Sequence, residues 1–193
     1  MNELVSAGIL AGGKSSRMGT DKAHLMLGEK TFLERAAAAC RDFSYLCIAV
    51  DDIRRFPEVS CPMVEDEIKG FGPVEGIYQL LKASPVPYVL VIATDMPFLD
   101  RAFLNRLAGC AAGKEDCVIL TMDGKVQPLC SIYKKSVIPL LEQMRKEGEH
   151  KIRLLYSRAA VRYVDVKELG GQEIQLKNIN TREEYDETVK RFL

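Results

Sequence analysis

The six-residue run from position 88 to position 93 constrains the fold of this chain more than any other feature. It has the sequence Tyr-Val-Leu-Val-Ile-Ala and carries no charged side chain. A strand that is apolar at every position is typically covered on both faces, as in the middle of a parallel sheet. We therefore expect helices to pack on both sides of a central sheet.

Shorter apolar runs alternate with helical patterns along the rest of the 193 residues. This alternation predicts an α/β protein with a doubly wound, mostly parallel sheet, in a single domain over residues 1–193. Ligands of such sheets bind at the carboxyl ends of the strands. The predicted strands are 4–10, 45–50, 63–65, 88–93, 117–122, 126–133 and 161–166.

Three of the predicted helices begin with a recognisable signal. Thr31 with Glu34, and Thr181 with Glu184, match the capping box, in which two side chains satisfy main-chain N–H groups at the helix start. Pro73 suits the first turn of a helix because its missing N–H has no partner there. Two further helices are predicted over 101–112 and 136–146.

Composition excludes several classes of protein. Lys and Arg together number 27, as do Asp and Glu, so the chain lacks the basic excess of a protein that coats nucleic acid. The six cysteines form no C-x-x-C pair, which argues against a zinc site. No apolar stretch approaches the length of a membrane span, so we expect a cytoplasmic protein without membrane or nucleic-acid partners.

The loop after the first predicted strand is the most informative segment. Residues 10–22 read Leu-Ala-Gly-Gly-Lys-Ser-Ser-Arg-Met-Gly-Thr-Asp-Lys. Glycines let main-chain N–H groups approach phosphate oxygens closely, and cationic side chains add charge and hydrogen bonds. This combination predicts a site for a nucleoside triphosphate, with Arg17 and Lys22 holding its phosphates.

An alternative interpretation of the same loop is a P-loop. Residues 8–15 match G-x-x-x-x-G-K-S, in which Lys14 would be the phosphate-binding lysine of a kinase or GTPase. However, Gly8 falls inside the apolar run, and residues 15–20 are poor helix formers where a P-loop protein begins a helix. The P-loop is therefore the less favoured interpretation.

Asp95 closely follows the apolar run at 88–93 and is expected at the ligand-binding edge of the sheet. A carboxylate at that place is a suitable ligand for Mg²⁺ that also contacts nucleotide phosphates. The alternative role is an aspartate in the turn before Pro97. We predict that Asp95 is the magnesium ligand.

Five sequence blocks together resemble one family. Residues 10–22 resemble the L-A-G-G-x-S-x-R-M-G-x-D-K motif of the molybdenum cofactor guanylyltransferases, members of the nucleotidyltransferase superfamily. The remaining blocks occur in the family's order and extend the resemblance over almost the whole chain. They are G-P-V-E-G at 72–76, T-D-M-P-F-L at 94–99, Q-P-L-C-S-I-Y at 127–133 and N-I-N-T at 178–181.

The resemblance implies a Rossmann-like fold of the nucleotide-diphospho-sugar transferase type. It also implies transfer of GMP from GTP to the phosphate of molybdopterin, with Mg²⁺ as cofactor and release of pyrophosphate. The product would be a guanine dinucleotide cofactor. Transient contacts with other cofactor-biosynthesis proteins or with recipient molybdoenzymes are further expectations.

The resemblance also assigns roles to individual positions. It points to Lys22 as the essential cation, whereas Lys14 is not required by the family. The residues that it implies for binding GTP are Leu10, Ala11, Gly12, Gly13, Lys22, Asp66 and Asp95. The residues that it implies for binding the acceptor are Gly72, Gly76, Asn178 and Asn180.

Two residues depart from the family pattern, and three other functions stay open. Glu75 replaces the usual Ala and is expected to add an anion near the acceptor, and Thr94 replaces a frequent Cys. The open alternatives are a cytidylyltransferase that uses CTP, the P-loop kinase or GTPase, and a GTP-binding regulator without catalysis. Because Gly12 leaves room beside the base, we hypothesise that a methyl group there would enter the base pocket and disfavour guanine.

Overall fold

The structure, a computed structural model, describes residues 3–12 and 21–192. Within these ranges, eight strands form one sheet and two short strands form a separate hairpin. α-Helices separate groups of one to three strands along the chain, and the β2–β3 hairpin was not predicted from the sequence. The strands are β1 Val5–Leu10, β2 Met26–Leu27, β3 Lys30–Thr31, β4 Leu46–Val50, β5 Met63–Glu65, β6 Tyr88–Ala93, β7 Cys117–Met122, β8 Lys125–Val126, β9 Cys130–Lys134 and β10 Val161–Asp165. The α-helices are α1 Phe32–Ala39, α2 Pro73–Ala83, α3 Arg101–Ala108, α4 Ile138–Glu147 and α5 Arg182–Phe192.

The main sheet has the strand order β10-β7-β9-β6-β1-β4-β5, with β8 paired to β7. The neighbours β1–β4, β1–β6, β4–β5 and β7–β10 run parallel, whereas β8 and β9 run antiparallel to their neighbours. The prediction of a mostly parallel, doubly wound α/β sheet is confirmed. The chain leaves β1 toward β4 on one side and later returns to β6 on the other side, which creates a crevice at their carboxyl ends.

Strand β6 is buried at all six positions, which confirms the central place predicted for it. Leu90 and Ile92 belong to a core cluster on one face of the sheet, whereas Val89 and Val91 belong to a cluster on the other. Helices α1 and α3 contribute to the first cluster, and α2 and α4 contribute to the second. Helices therefore cover both faces of the sheet beside β6.

Both predicted capping boxes form. Thr31 N–H donates to Glu34 Oε2 at 2.7 Å, and Glu34 N–H donates to Thr31 Oγ1 at 3.1 Å. Thr181 and Glu184 make the same reciprocal pair, with distances of 3.1 and 3.2 Å. The helix starts were therefore predictable from local sequence.

Three predicted boundaries are wrong. The strand expected over 126–133 is split into β8 and β9 around Pro128, which cannot donate a main-chain hydrogen bond to a ladder. Helix α3 ends at Ala108 with Gly109 as its cap, before the predicted end near Gly113. Helix α4 begins at Ile138 because Pro139 is accommodated in its first turn, and a short 3₁₀ turn precedes it.

A small third cluster packs the hairpin β2–β3 against the C-terminal part of the chain. Leu25, Leu27, Phe32 and Ile179 are its buried members. This cluster brings the segment before α5 close to the carboxyl end of β6. Among the described helices, none is long and apolar enough to span a bilayer.

Candidate active site

A cleft of about 520 Å³ opens at the carboxyl ends of β1 and β6, within the size range of small-molecule sites. Its position is the one predicted from the strand order. Most of the predicted nucleotide and acceptor residues that the structure describes contribute to its walls. These are Leu10, Ala11, Gly12, Lys22, Asp66, Gly72, Gly76 and Asp95.

The main chain that follows β1 is fixed from both sides. Thr94 N–H donates to Leu10 O at 3.2 Å, and Ala11 N–H donates to Ala49 O at 2.9 Å. A Cβ at Gly12 would lie 3.2 Å from the main-chain nitrogen of Asp51. A methyl group at Gly12 would therefore press on the backbone at Asp51, which also lines the cleft, so close packing gives a reason for glycine that does not depend on the base.

The two glycines predicted to bind the acceptor also have structural reasons to be glycine. Gly72 caps α2 with φ of +81°, a conformation that side chains disfavour. A Cβ at Gly76 would lie 2.5 Å from Leu10 Cδ2, so Gly76 lets α2 pack closely on β1. Both residues shape the wall of the cleft whether or not they touch an acceptor.

Lys22 lies where three distant parts of the chain meet. Its ammonium group donates to Asn180 Oδ1 at 2.6 Å and to Asp95 Oδ2 at 3.4 Å. Asp21 orders the turn that carries Lys22 by accepting a hydrogen bond from Ala23 N–H at 3.1 Å. The structure thus places Lys22, Asp95 and Asn180 side by side, which their sequence positions alone did not indicate.

The carboxyl group of Asp95 has capacity left for a ligand. Its Oδ1 atom is buried and has no hydrogen-bond partner among the described residues. Burial raises the pKa of Asp95, and the neighbouring Lys22 opposes that rise. A buried carboxylate oxygen at the edge of a cleft is suited to a divalent cation.

A single carboxylate is a sufficient protein anchor for Mg²⁺ when the substrate supplies phosphates. Mg²⁺ commonly binds through one or two carboxylates, water and substrate phosphates instead of an all-protein cage. In residues 3–12 and 21–192, no group of three or more His, Cys, Asp or Glu side chains could hold a metal ion. Asp95 therefore fits an ion that arrives with a nucleotide.

Asp66 projects into the cleft from the end of β5. The pKa of Asp66 is raised to about 6, mainly by desolvation and then by the negative charge of Glu75, while Lys69 opposes the rise. The Asp66 N–H donates to Val50 O at 2.9 Å, which continues the β4–β5 pairing past the end of the strand. Asp66 is thus held in place by main-chain contacts while its carboxylate is only partly solvated.

Glu75 does not line the cleft, contrary to the expectation that it adds an anion beside the acceptor. Its side chain is fully buried on the other side of α2. Its Oε2 accepts a hydrogen bond from Arg145 Nε at 2.6 Å. The Glu75 charge is therefore paired within the protein.

The remaining predicted site residues either do not line the cleft or lie outside the described residues. Asn178 is exposed and is not part of the cleft wall, and Asn180 reaches the site only through Lys22. Gly13 and Arg17 lie outside the described residues, as does Lys14 of the P-loop interpretation.

Sequence reasoning missed several charged residues of the cleft. Asp51 follows β4 directly, and the strand-end rule that selected Asp95 would also have selected it. Arg55 donates to both Asp51 and Asp21 at 2.5 Å and so links two walls of the site. Lys69 also lines the cleft and donates to Glu65 Oε1, but no local sequence signal distinguishes it from other surface lysines.

Comparison with known proteins gives the family of this chain. The family model described as the MobA-like NTP transferase domain matches residues 7–163. The chain belongs to the MobA-like NTP transferase family. The chain is therefore a nucleotidyltransferase, and its match to the family begins within β1 and extends into β10.

Individual relatives are similar over nearly their full length. A protein of Clostridium perfringens named probable molybdenum cofactor guanylyltransferase is 34% identical, with 96% of each chain covered. A protein of the same name from Bacillus subtilis is 31% identical, over 92% of this chain and 90% of the relative. The crystal structure of molybdopterin-guanine dinucleotide biosynthesis protein A from Archaeoglobus fulgidus has a TM-score of 0.84 and 27% identity, covering 96% and 97% of the two chains.

The geometry of β1 agrees with this family and not with a P-loop. Gly8 pairs with Cys47 on one side and Val91 on the other, so it lies inside the sheet. A Cβ at Gly8 would lie 2.7 Å from Leu80 Cδ1, which explains its small size by packing against α2. The first glycine of the apparent P-loop pattern is therefore not in a loop.

Proposed function

We propose that this chain transfers GMP from GTP to the phosphate of molybdopterin and releases pyrophosphate. A terminal oxygen of the acceptor phosphate forms a bond to the α-phosphorus of GTP. The bond between that phosphorus and the oxygen bridging to the β-phosphorus breaks, and both electrons leave with pyrophosphate. The relatives named as molybdenum cofactor guanylyltransferases support the substrates, and family membership supports the type of reaction.

The pairing of Lys22 with Asp95 at the crevice between β1 and β6 is the observation that carries this proposal. Phosphoryl-type transfer depends mainly on positioning and on neutralising charge, because the protein has little covalent chemistry to perform. Lys22 supplies a positive charge and Asp95 a half-buried negative one, 3.4 Å apart. Together they are suited to a triphosphate that carries its own cation.

The proposed roles on the GTP side follow the walls of the cleft. The main chain of Leu10, Ala11 and Gly12 contacts the base, with Gly13 continuing that segment. Lys22 and Arg17 hold the phosphates, and Asp66 accepts hydrogen bonds from the nucleotide. On the acceptor side, the proposed residues are Gly72, Gly76, Asn178 and Asn180.

Asp95 would hold Mg²⁺ through its carboxylate, whose buried Oδ1 has no other partner among the described residues. The ion, when bound, stabilises negative charge that develops on the phosphate oxygens. Lys22 orients the Asp95 carboxylate through Oδ2 and stays within reach of the same phosphates. We also propose that the protein works in the cytoplasm and hands its product to recipient molybdoenzymes.

A comparison of four nucleotides as donors tests this proposal. The protein is incubated with molybdopterin, MgCl₂ and one α-labelled nucleotide at a time, namely GTP, CTP, ATP or UTP. We expect label to enter a pterin dinucleotide with GTP far more rapidly than with the other three. A faster reaction with CTP would identify a cytidylyltransferase instead, and nucleotide binding without any turnover would identify a regulator.

A further inference from the structure

A buried ion pair between α2 and α4 is connected directly to the loop that carries Asp66. Glu75 lies in the first turn of α2 and is 0% exposed. Besides Arg145, its carboxylate accepts a hydrogen bond from the main-chain N–H of Glu67 at 3.0 Å. Because Glu67 directly follows Asp66, Glu75 fixes the peptide group on the C-terminal side of Asp66.

Arg145 completes this connection from α4. Its guanidinium donates to Glu75 Oε2 at 2.6 Å and to Glu67 Oε2 at 2.7 Å. It also lies 4.0 Å from the ring centroid of Tyr78, and its side chain is 11% exposed. Arg145 therefore connects the buried Glu75 to the solvent-exposed Glu67 through hydrogen bonds between charged groups.

The contacts on the two sides of Asp66 immobilise its main chain. On the N-terminal side, Asp66 N–H donates to Val50 O at 2.9 Å. On the C-terminal side, the next N–H is held by Glu75, and Gln79 supports the same carboxylate oxygen at 2.7 Å. The Asp66 carboxylate is thus presented to the cleft by a segment that is anchored at both ends.

We infer that Glu75 and Arg145 are positioning residues that act through Asp66 on nucleotide binding. This inference rests on the proposed function, in which Asp66 contacts GTP. A loop that is ordered before binding avoids the entropy cost of ordering it in the complex, which raises affinity without adding a contact.

A double variant that lacks both charges distinguishes an effect on GTP binding from an effect on folding. Arg145→Met alone leaves the buried Glu75 charge without its ion-pair partner, whereas Glu75→Ala combined with Arg145→Met removes the pair and keeps an apolar side chain on α4. We expect this double variant to melt near the wild-type temperature and to bind GTP·Mg²⁺ about 10-fold more weakly, as is typical of coupling within one hydrogen-bonded network. Equilibrium titration and thermal melting measure the two quantities without requiring turnover.

An Asp66→Asn background tests whether the pair acts through Asp66. There, the same two substitutions should change the dissociation constant by less than about 2-fold, because the carboxylate that they position is already absent.

Glu142→Gln is the matched control. Glu142 lies in the same α2–α4 interface and accepts a hydrogen bond from Tyr78 Oη at 2.9 Å, but no hydrogen bond among the described residues connects it to the Asp66 loop. This control should bind GTP like the wild type.

Arg145→Lys provides a second test if the double variant does not fold. It keeps the positive charge beside Glu75 and loses the planar group that bonds Glu67 and Glu75 together. We expect weaker GTP binding with little change in melting temperature.

Unchanged binding in a folded variant, or an undiminished loss in the Asp66→Asn background, would overturn the inference. A wild-type protein that does not bind GTP at all would overturn the proposed function, and the inference with it.

Discussion

Asn180 accepts a hydrogen bond from the ammonium group of Lys22 at 2.6 Å, across a sequence separation of 158 residues. The same ammonium lies 3.4 Å from Asp95 Oδ2. Lys22, from the N-terminal part of the chain, therefore contacts both the C-terminal segment and the residue that follows the end of β6. Ile179 N–H donates to Asp95 O at 2.9 Å and keeps the C-terminal segment in place. The position of Lys22 thus depends on the whole fold.

Substitution of the two lysines of the glycine-containing loop distinguishes the nucleotidyltransferase from the P-loop interpretation. We predict that Lys22→Ala abolishes transfer, because it removes the cation that pairs with Asp95 in the cleft. Lys14→Ala should lower kcat/KM by less than about 10-fold, since the family pattern does not require a lysine at this position. Steady-state kinetics of both variants gives the ranking. The opposite ranking would support a P-loop.

Asp95→Asn tests the proposed magnesium ligand, because the substitution keeps the shape of the side chain and removes its charge. We predict a loss of about 10²-fold or more in kcat, since charge stabilisation by a bound metal contributes several kcal/mol. The dissociation constant for GTP should change much less. Equal wild-type and variant turnover at ordinary Mg²⁺ concentrations would remove Asp95 from the mechanism.

The part of the site that follows strands was predictable from sequence, whereas the part made by long-range contacts was not. Asp95 and the segment starting at Leu10 follow strongly apolar runs, and parallel strands present their carboxyl ends at one edge. The contact between Lys22 and Asn180 depends on the packing of Ile179 against the β2–β3 hairpin. No pattern in either local sequence encodes that packing.

For Glu75, the sequence predicted the wrong environment. Its neighbours Gly72 and Gly76 line the cleft, so sequence proximity suggested that Glu75 faces the acceptor. Helical geometry instead points Glu75 toward α4, where Arg145 neutralises it. The partner is 70 residues away in the sequence, and nothing near either residue specifies the pair.

Gly12→Ala is expected to lower kcat/KM for GTP and CTP in parallel. The added methyl group would lie 3.2 Å from the main-chain nitrogen of Asp51, so the backbone after β4 must move. Overpacking of this kind costs roughly 1–3 kcal/mol of stability. The measurements are thermal melting and kcat/KM with both nucleotides. A selective loss with GTP and an unchanged melting temperature would support the hypothesis that Gly12 sets base choice.

Asp66→Asn is predicted to stabilise the protein at pH 8 while weakening nucleotide binding. The pKa of Asp66 is about 6 in the folded protein, against an ordinary 3.8, because burial and the charge of Glu75 disfavour the carboxylate. The ionised side chain therefore opposes folding by roughly 1–3 kcal/mol at pH 8. Chemical denaturation of both proteins measures this difference.

The difference in stability between Asp66→Asn and the wild type should change with pH in a predictable direction. The folded-state pKa of Asp66 is raised, so its contribution favours folding below pH 3.8 and is lost as the pH rises through about 6. The stability advantage of Asp66→Asn should accordingly shrink between pH 7 and pH 4. An advantage that grows at low pH, or a variant less stable at pH 8, would contradict the electrostatic account of this site.

The fate of the two labels of doubly labelled GTP distinguishes nucleotidyl transfer from GTP hydrolysis. The protein is incubated with molybdopterin, MgCl₂ and GTP labelled at both the α- and the γ-phosphorus, and the products are separated. The account predicts that the α-label enters a pterin dinucleotide while an equal amount of the γ-label is released as pyrophosphate. Release of the γ-label as orthophosphate, with the α-label left in GDP, would contradict it.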